Sequence, residues 1–217
     1  MFQLTQPTVT KHLQLLERAG LISTIKDAQR RLRRLVHNPL DGATAWMMGY
    51  RNPGTLRFST PGDREIMMQR PFWAPRESVF DAFVSPRLLK QWFYGKPGGT
   101  LAVCKVATKA NESFRYVWRD AEGHEIGMSG VCVEFARPER IVATEAFDQP
   151  CYPGGAVSRI ELHQYRDITV LTQTILYESR TARDQAVGSQ MEHAVALGYD
   201  RLETLLASLE QRKRKRR

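Results

Sequence analysis

A chain of 217 residues with a formal charge of +9, 42% hydrophobic and 25% charged residues has ordinary globular composition, which excludes wholesale disorder and leaves length for a sizeable core. No apolar run approaches the roughly 20 residues that span a bilayer, and the opening MFQLTQPTVTKHL lacks the apolar stretch of a secretory signal, so a cytoplasmic protein without membrane contact is expected. The charge sits at the two ends, +5 in residues 1–55 and +5 in residues 210–217 against −1 between them, which suits polyanion-facing ends around a near-neutral body.

In chain order, the first element is a helix. Thr5 or Gln6 can cap it, Pro7 suits its first turn, Val9, Leu13 and Leu16 recur at helical spacing, and Gly20 ends it. Leu21–Ile25 and Arg30–His37 read as short strands around the turn Asp27-Ala28-Gln29. A short helix through Ala43–Met48 follows. Asn52-Pro53-Gly54 and Ser59-Thr60-Pro61-Gly62 then place a domain boundary near 55–62.

From Arg64 the pattern changes. Glu65–Trp73 reads as a strand, followed by helices whose apolar faces are Val79, Phe80 and Phe83, then Leu88, Leu89, Trp92 and Phe93. Gly95, Pro97, Gly98 and Gly99 break the chain. Strands are expected at about 100–107, 113–119, 125–135, 140–147, 156–165 and 168–178, an antiparallel meander. One long helix is expected over Thr181–Gln211, and the tail 212–217, RKRKRR, reads as disordered. Gly198 costs about 1 kcal/mol mid-helix relative to Ala, which implies that the sheet or a ligand comes close there.

The segment TQPTVTKHLQLLERAGLI resembles the recognition helix and following strand of ArsR-type winged-helix regulators. The resemblance implies DNA contact by Gln6, Thr8, Thr10, Lys11, His12 and Gln14 on the helix and by Arg30, Arg31, Arg33 and Arg34 on the wing. Such domains carry further helices before the recognition helix, so residues 1–55 are expected to form a partial winged helix, and a homodimer only where the preceding helix is supplied.

RPFWAPRESVFDAFVSPRLLKQWF, FRYVWRDAEGHEIGMSGVCVEFARPERIVATEAF and LTQTILYESRTARDQAVGSQMEHAVALGYDRLETLL resemble the activator of heat-shock protein 90 ATPase family, in the SRPBCC or START/Bet v 1-like superfamily. The implied fold is α+β, a helix-grip domain over 64–211 with a curved antiparallel sheet around a long C-terminal helix. A small hydrophobic ligand is expected between them. The inward residues expected to line that cavity are Trp92, Phe93, Tyr116, Trp118, Met128, Val131, Phe135, Phe147, Met191, Val195 and Tyr199.

Catalytic and metal signals are weak. His12, His37, His124, His163 and His193 form no HxH or HExxH spacing, and Cys104, Cys132 and Cys151 fit neither a disulfide framework nor a CxxC site. Neither GxSxG, nor a Walker loop, nor a dinucleotide fingerprint is present. No enzyme, cofactor or metal is therefore expected. The favoured reading is a regulator in which ligand in the body biases a DNA-binding head. The alternatives are a stand-alone ligand-binding or chaperone-associated module with an inert head, and an enzyme.

Overall fold

The structure is a computed structural model that describes residues 6–18, 22–27, 30–35, 54–95, 97–149, 152–189 and 191–214. It divides into two compact units, Met1–Met47 and Met48–Arg217.

In the first unit, α1 (Gln6–Arg18) precedes a hairpin of β1 (Ile22–Asp27) and β2 (Arg30–Leu35), paired from Ile22↔Leu35 to Asp27↔Arg30. The apolar stripe of α1 is only partly covered, since Val9, Leu15 and Leu16 are exposed. A helix and a two-stranded hairpin are what the described residues of this unit contain. The helix expected at Ala43–Met48 lies outside them.

The second unit is built on eight antiparallel strands: β3 (Arg57–Ser59), β4 (Glu65–Phe72), β5 (Thr100–Lys105), β6 (Ser113–Arg119), β7 (Glu125–Ala136), β8 (Arg140–Phe147), β9 (Ala156–Tyr165) and β10 (Ile168–Tyr177). Their order in the sheet is β3-β4-β10-β9-β8-β7-β6-β5. The sheet begins inside the expected boundary at 55–62, ahead of the domain start expected at 64, because Arg57, Phe58 and Ser59 pair with Gln69, Met68 and Met67. Three residues are too short a run to show a period, and Phe58 is recruited by packing on the core.

Helices α2 (Arg76–Val84) and α3 (Pro86–Leu89) connect β4 to β5. The single long helix expected near the C-terminus is two helices, α4 (Arg180–Gly188) and α5 (Met191–Arg214). Ser179 caps α4, its side chain accepting from the Ala182 amide at 3.1 Å. Gly188 closes it, and the Ser189 amide returns to the carbonyls of Gln185 and Ala186. The basic tail is also shorter than expected: α5 stays helical through Arg214, and residues 215–217 lie outside the described region.

One side of the sheet is sealed by these helices. Phe72, Leu171 and Leu162 of β4, β10 and β9 pack with Val79, Phe80, Trp92, Tyr199, Leu202 and Leu206. Ile66, Met68, Ile175 and Tyr177 pack with Tyr152 and with Ala182 and Ala186 of α4. Arg70 is the exception in this apolar layer. It is 2% exposed, and its guanidinium binds Asp200 at 2.6 Å and Glu203 at 2.5 Å, tying β4 to α5.

Candidate functional site

Side chains of a strand alternate between faces, so the register of β6 to β10 fixes which residues share the inner face under the helices. Four rows follow. Leu101, Trp118 and Ile126 form the outermost. Cys104, Tyr116, Met128 and Phe147 form the second. The third is Phe114, Gly130, Glu145, Ala156 and Tyr177, with Gly130 opposite Glu145 by the register that pairs Ser129 with Ala146 and Cys132 with Ala143. Cys132, Ala143, Ser158 and Ile175 form the fourth.

The outer rows carry aromatic rings that keep part of their surface accessible. Trp118 stacks on Phe147 with centroids 6.4 Å apart, and Phe93 meets Trp118 edge-on at 5.0 Å and Tyr116 at 5.6 Å. The Trp118 indole N–H donates to the Phe93 carbonyl at 2.8 Å, which fixes the ring. Ile126, at the rim on the same face, is 54% exposed. The inner face is therefore open at the β6–β7 turn and closed toward β4.

Behind the aromatic rows the inner face is low. Gly130 and Ala156 flank Glu145 in its row, and Ala143 and Ser158 lie in the next. Gly130 is required, since a Cβ there would clash with the Thr144 carbonyl oxygen and fall 2.7 Å from Cε1 of Phe114. Glu145 lies deep in the unit yet retains accessible surface, and burial alone pushes its carboxyl up to about 7. Among the described residues it has no ion-pair or hydrogen-bond partner. Sequence reasoning missed Glu145. The signal was present, because alternation over 140–147 puts Glu145 in phase with Phe147.

Of the expected cavity residues, Phe93, Tyr116, Trp118, Met128 and Phe147 meet at this open end, and Met191 and Val195 of α5 pack on the cluster that includes Phe147. Trp92 and Tyr199 are placed elsewhere, in the sealed core. The Trp92 N–H donates to the Ala82 carbonyl, and the Tyr199 hydroxyl donates to Gln173. Phe135 packs edge-on against Phe80 under α2. Val131 requires correction. It is 42% exposed on the outer face, because it is out of phase with Met128 and Cys132. The close approach at Gly198 is made by the Trp92 ring, 3.9 Å from a Cβ placed there, and not by the sheet.

In the first unit, Thr10, Lys11, His12 and Gln14 are exposed on α1. Gln6 and Thr8 lie on α1, and Arg30, Arg31 and Arg34 on β2, but their side chains are outside the described residues. Arg33, expected to face phosphate, instead binds Glu17 of α1 at 2.6 Å and Thr24 of β1. The Glu17 carboxylate and the hydroxyl of Thr24, opposite Arg33 in the hairpin, hold it within the unit.

Other polar clusters are explained locally. Asp120, Glu122 and His124 gather their donor atoms within 4.8 Å in the β6–β7 turn, where Asp120 accepts from the amides of Glu122 and His124. Burial raises the thiols of Cys104 and Cys132, so both stay protonated and unreactive near neutral pH, and Cys151 lies outside the described residues. A groove of about 570 Å³ runs along α5 past Asp200, Glu203 and Thr204, whose two carboxylates already serve Arg70. Among the described residues, no helix is long and apolar enough to cross a membrane.

Comparison with known proteins agrees with this architecture. A family model described as Activator of Hsp90 ATPase homolog 1-like protein matches residues 73–207. A search of curated proteins finds no match. Among solved structures, a Rhodobacter sphaeroides protein is similar with a TM-score of 0.67 and 24% identity, over 71% of this chain and 99% of its own. A Nitrosomonas europaea protein is similar with a TM-score of 0.62 and 22% identity, over 70% and 99%. An AHSA1-like protein from Aeromonas hydrophila has a TM-score of 0.54 and 13% identity, over 64% and 92%. These likenesses establish the fold.

Proposed function

Because the chain belongs to the Activator of Hsp90 ATPase homolog 1-like protein family, we propose that its second unit is a ligand-binding module that takes a small apolar molecule on the open end of the inner face. The observation that carries this reading is the set of inward aromatic rings, Phe93, Trp118 and Phe147, which keep accessible surface beside the exposed rim residue Ile126. Clustered, partly accessible apolar surface of this kind is what small ligands bury. The module is proposed to bind and not to catalyse, since Glu145 has no acid–base partner among the described residues.

The test uses the neutral fluorophore N-phenyl-1-naphthylamine. It is expected to bind with a stoichiometry near one per chain and to quench Trp118 by energy transfer. Val195→Trp fills the space beside Phe147 and is expected to weaken binding at least tenfold while the far-ultraviolet circular dichroism is retained. A folded Val195→Trp protein that binds the probe like the parent would remove the site from the inner face. The family also carries a chaperone-associated reading, which acceleration of a chaperone ATPase by the purified chain would favour instead.

A second reading concerns the first unit. The exposed Lys11 and His12 on α1, followed by a hairpin whose second strand carries Arg30, Arg31 and Arg34 beside the internally paired Arg33, favour contact with DNA phosphates. Loss of salt-dependent DNA binding on deleting residues 1–47 tests it.

A further inference from the structure

The ligand's polar end is written in the same site. We propose that Glu145 anchors the ligand through a positively charged group, so that the molecule taken on the inner face is an apolar amine or ammonium compound. This deepens the ligand-binding reading above and rests on it.

Three observations meet at this residue. Its position is forced by register onto the inner face, one row behind Phe147 and Met128, with Ala156 and Gly130 on either side. Its row neighbours Gly130 and Ala156 are small, and the row ends at Phe114 and Tyr177. Tyr152 lies alongside, edge-on to Phe147 at 6.3 Å and to Tyr177 at 4.9 Å. A carboxylate bounded by aromatic faces is the arrangement that attracts an organic cation, because ring quadrupoles and the anion act in the same direction.

The second observation is the missing partner. The unit's buried charges Arg70 and Arg183 are matched by Asp200 and Glu203 and by Asp184, and surface acids such as Asp148 and Glu134 are matched by Arg115 and Arg140. Glu145 has no such cation among the described residues. Third, burial is the sole cause of its raised pKa, so no nearby positive charge offsets the desolvation. A half-buried anion without a partner is partly desolvated at a cost, and a ligand that supplies the cation offsets that cost.

An anionic ligand would instead meet repulsion, and a neutral alcohol would leave the charge unbalanced. The other titratable groups facing this region are Tyr177 of β10, Tyr152 ahead of β9, Tyr116 of β6 and Cys132 of β7. Burial raises the last two, which keeps them neutral. Met191 and Val195, the α5 residues packed here, carry no charge.

The experiment is competition against N-phenyl-1-naphthylamine at pH 8 on the full chain, with n-octylammonium, 1-octanol and octanoate as competitors. The expected result is that octylammonium displaces the probe at a concentration at least tenfold below octanol, and that octanoate is the weakest of the three. In Glu145→Gln and Glu145→Ala the ratio between octylammonium and octanol is expected to collapse toward one, whatever the absolute affinities. Equal potency of octylammonium and octanol on the parent chain would overturn the ammonium inference and leave the apolar site standing. So would a ratio that persists in both variants. If neither the probe nor octanol binds, the site itself fails, and this inference fails with it.

Discussion

Glu145 makes the fold sensitive to pH in a direction opposite to that of most carboxylates. Burial holds its folded-state pKa at about 7, above the ordinary glutamate value. Between about 4.3 and 7 the folded chain therefore keeps a proton that the unfolded chain has released, so this residue lowers stability progressively across that window and fully above it. Glu145→Gln removes the effect. The variant is expected to match the parent at pH 4 and to be more stable by on the order of 1–3 kcal/mol at pH 8, read from urea midpoints. A difference that is the same at both pH values would assign the gain to packing. The residue was legible only in part. Alternation over 140–147 shows Glu145 sharing a face with Phe147, but the absence of a partner depends on which residues the register brings from β7 and β9.

At the scale of elements, the joint between α5 and the sheet is a charge clamp set in an apolar layer. The Arg70 guanidinium is buried, while Asp200 and Glu203 remain partly solvated. Arg70→Met replaces the cation with an apolar chain and returns both acids to water. It is expected to lower stability by roughly 1–3 kcal/mol and to lose most of its salt dependence, because one partner is exposed and the pair is worth less than a fully buried one. Denaturant unfolding at two ionic strengths checks this. A variant as stable as the parent would show that Phe72, Tyr199 and Leu202 alone hold the helix down.

The elements themselves were largely readable from sequence. Turn residues between apolar runs located β6 to β10 closely; alternation is clear in β9, whereas β10 is buried on both faces over Ile168–Leu171. This reading failed at β3, where three residues carry too little pattern. It also failed between α4 and α5, since the apolar spacing of Val187, Met191, Ala194 and Val195 runs through the turn at Ser189 as if the helix were continuous. The error at Val131 came from counting apolar residues without phase: Met128 and Val131 lie three apart, and an unbroken strand cannot turn both inward. Which aromatics stay accessible was not legible at all. Trp92 and Trp118 were both expected to line the cavity, yet one is sealed by Phe83 and Tyr199 and the other stands beside the open rim.

For the whole molecule, the division at Met47 and Met48 separates a small basic unit from one with its own extensive core. The second unit contains every strand of the eight-stranded sheet, both core clusters and the Arg70 clamp. A fragment of residues 48–217 is accordingly expected to unfold in one cooperative transition, to bind N-phenyl-1-naphthylamine like the full chain, and to retain its denaturant midpoint within about 0.5 kcal/mol. A fragment that precipitates or loses its transition would mean that residues 1–47 complete the core. Limited proteolysis offers the same information from the other side, and the pairing of Arg57–Ser59 with β4 protects part of the segment that sequence composition marks as a linker.

The sheet is open, and this has a consequence for colloidal behaviour. An unclosed antiparallel sheet presents two rows of unpaired amides and carbonyls, the usual template for edge-to-edge aggregation. Here both rows are blunted. β3 offers three residues only, and β5 changes register between Leu101 and Val103, so a second chain cannot zip along it, while Lys105 adds a charge at its end. Both terminal strands are therefore poor templates for edge-to-edge pairing, and deleting Ala102 to restore a regular ladder at Leu101–Val103 is expected to promote fibre formation, read by thioflavin fluorescence.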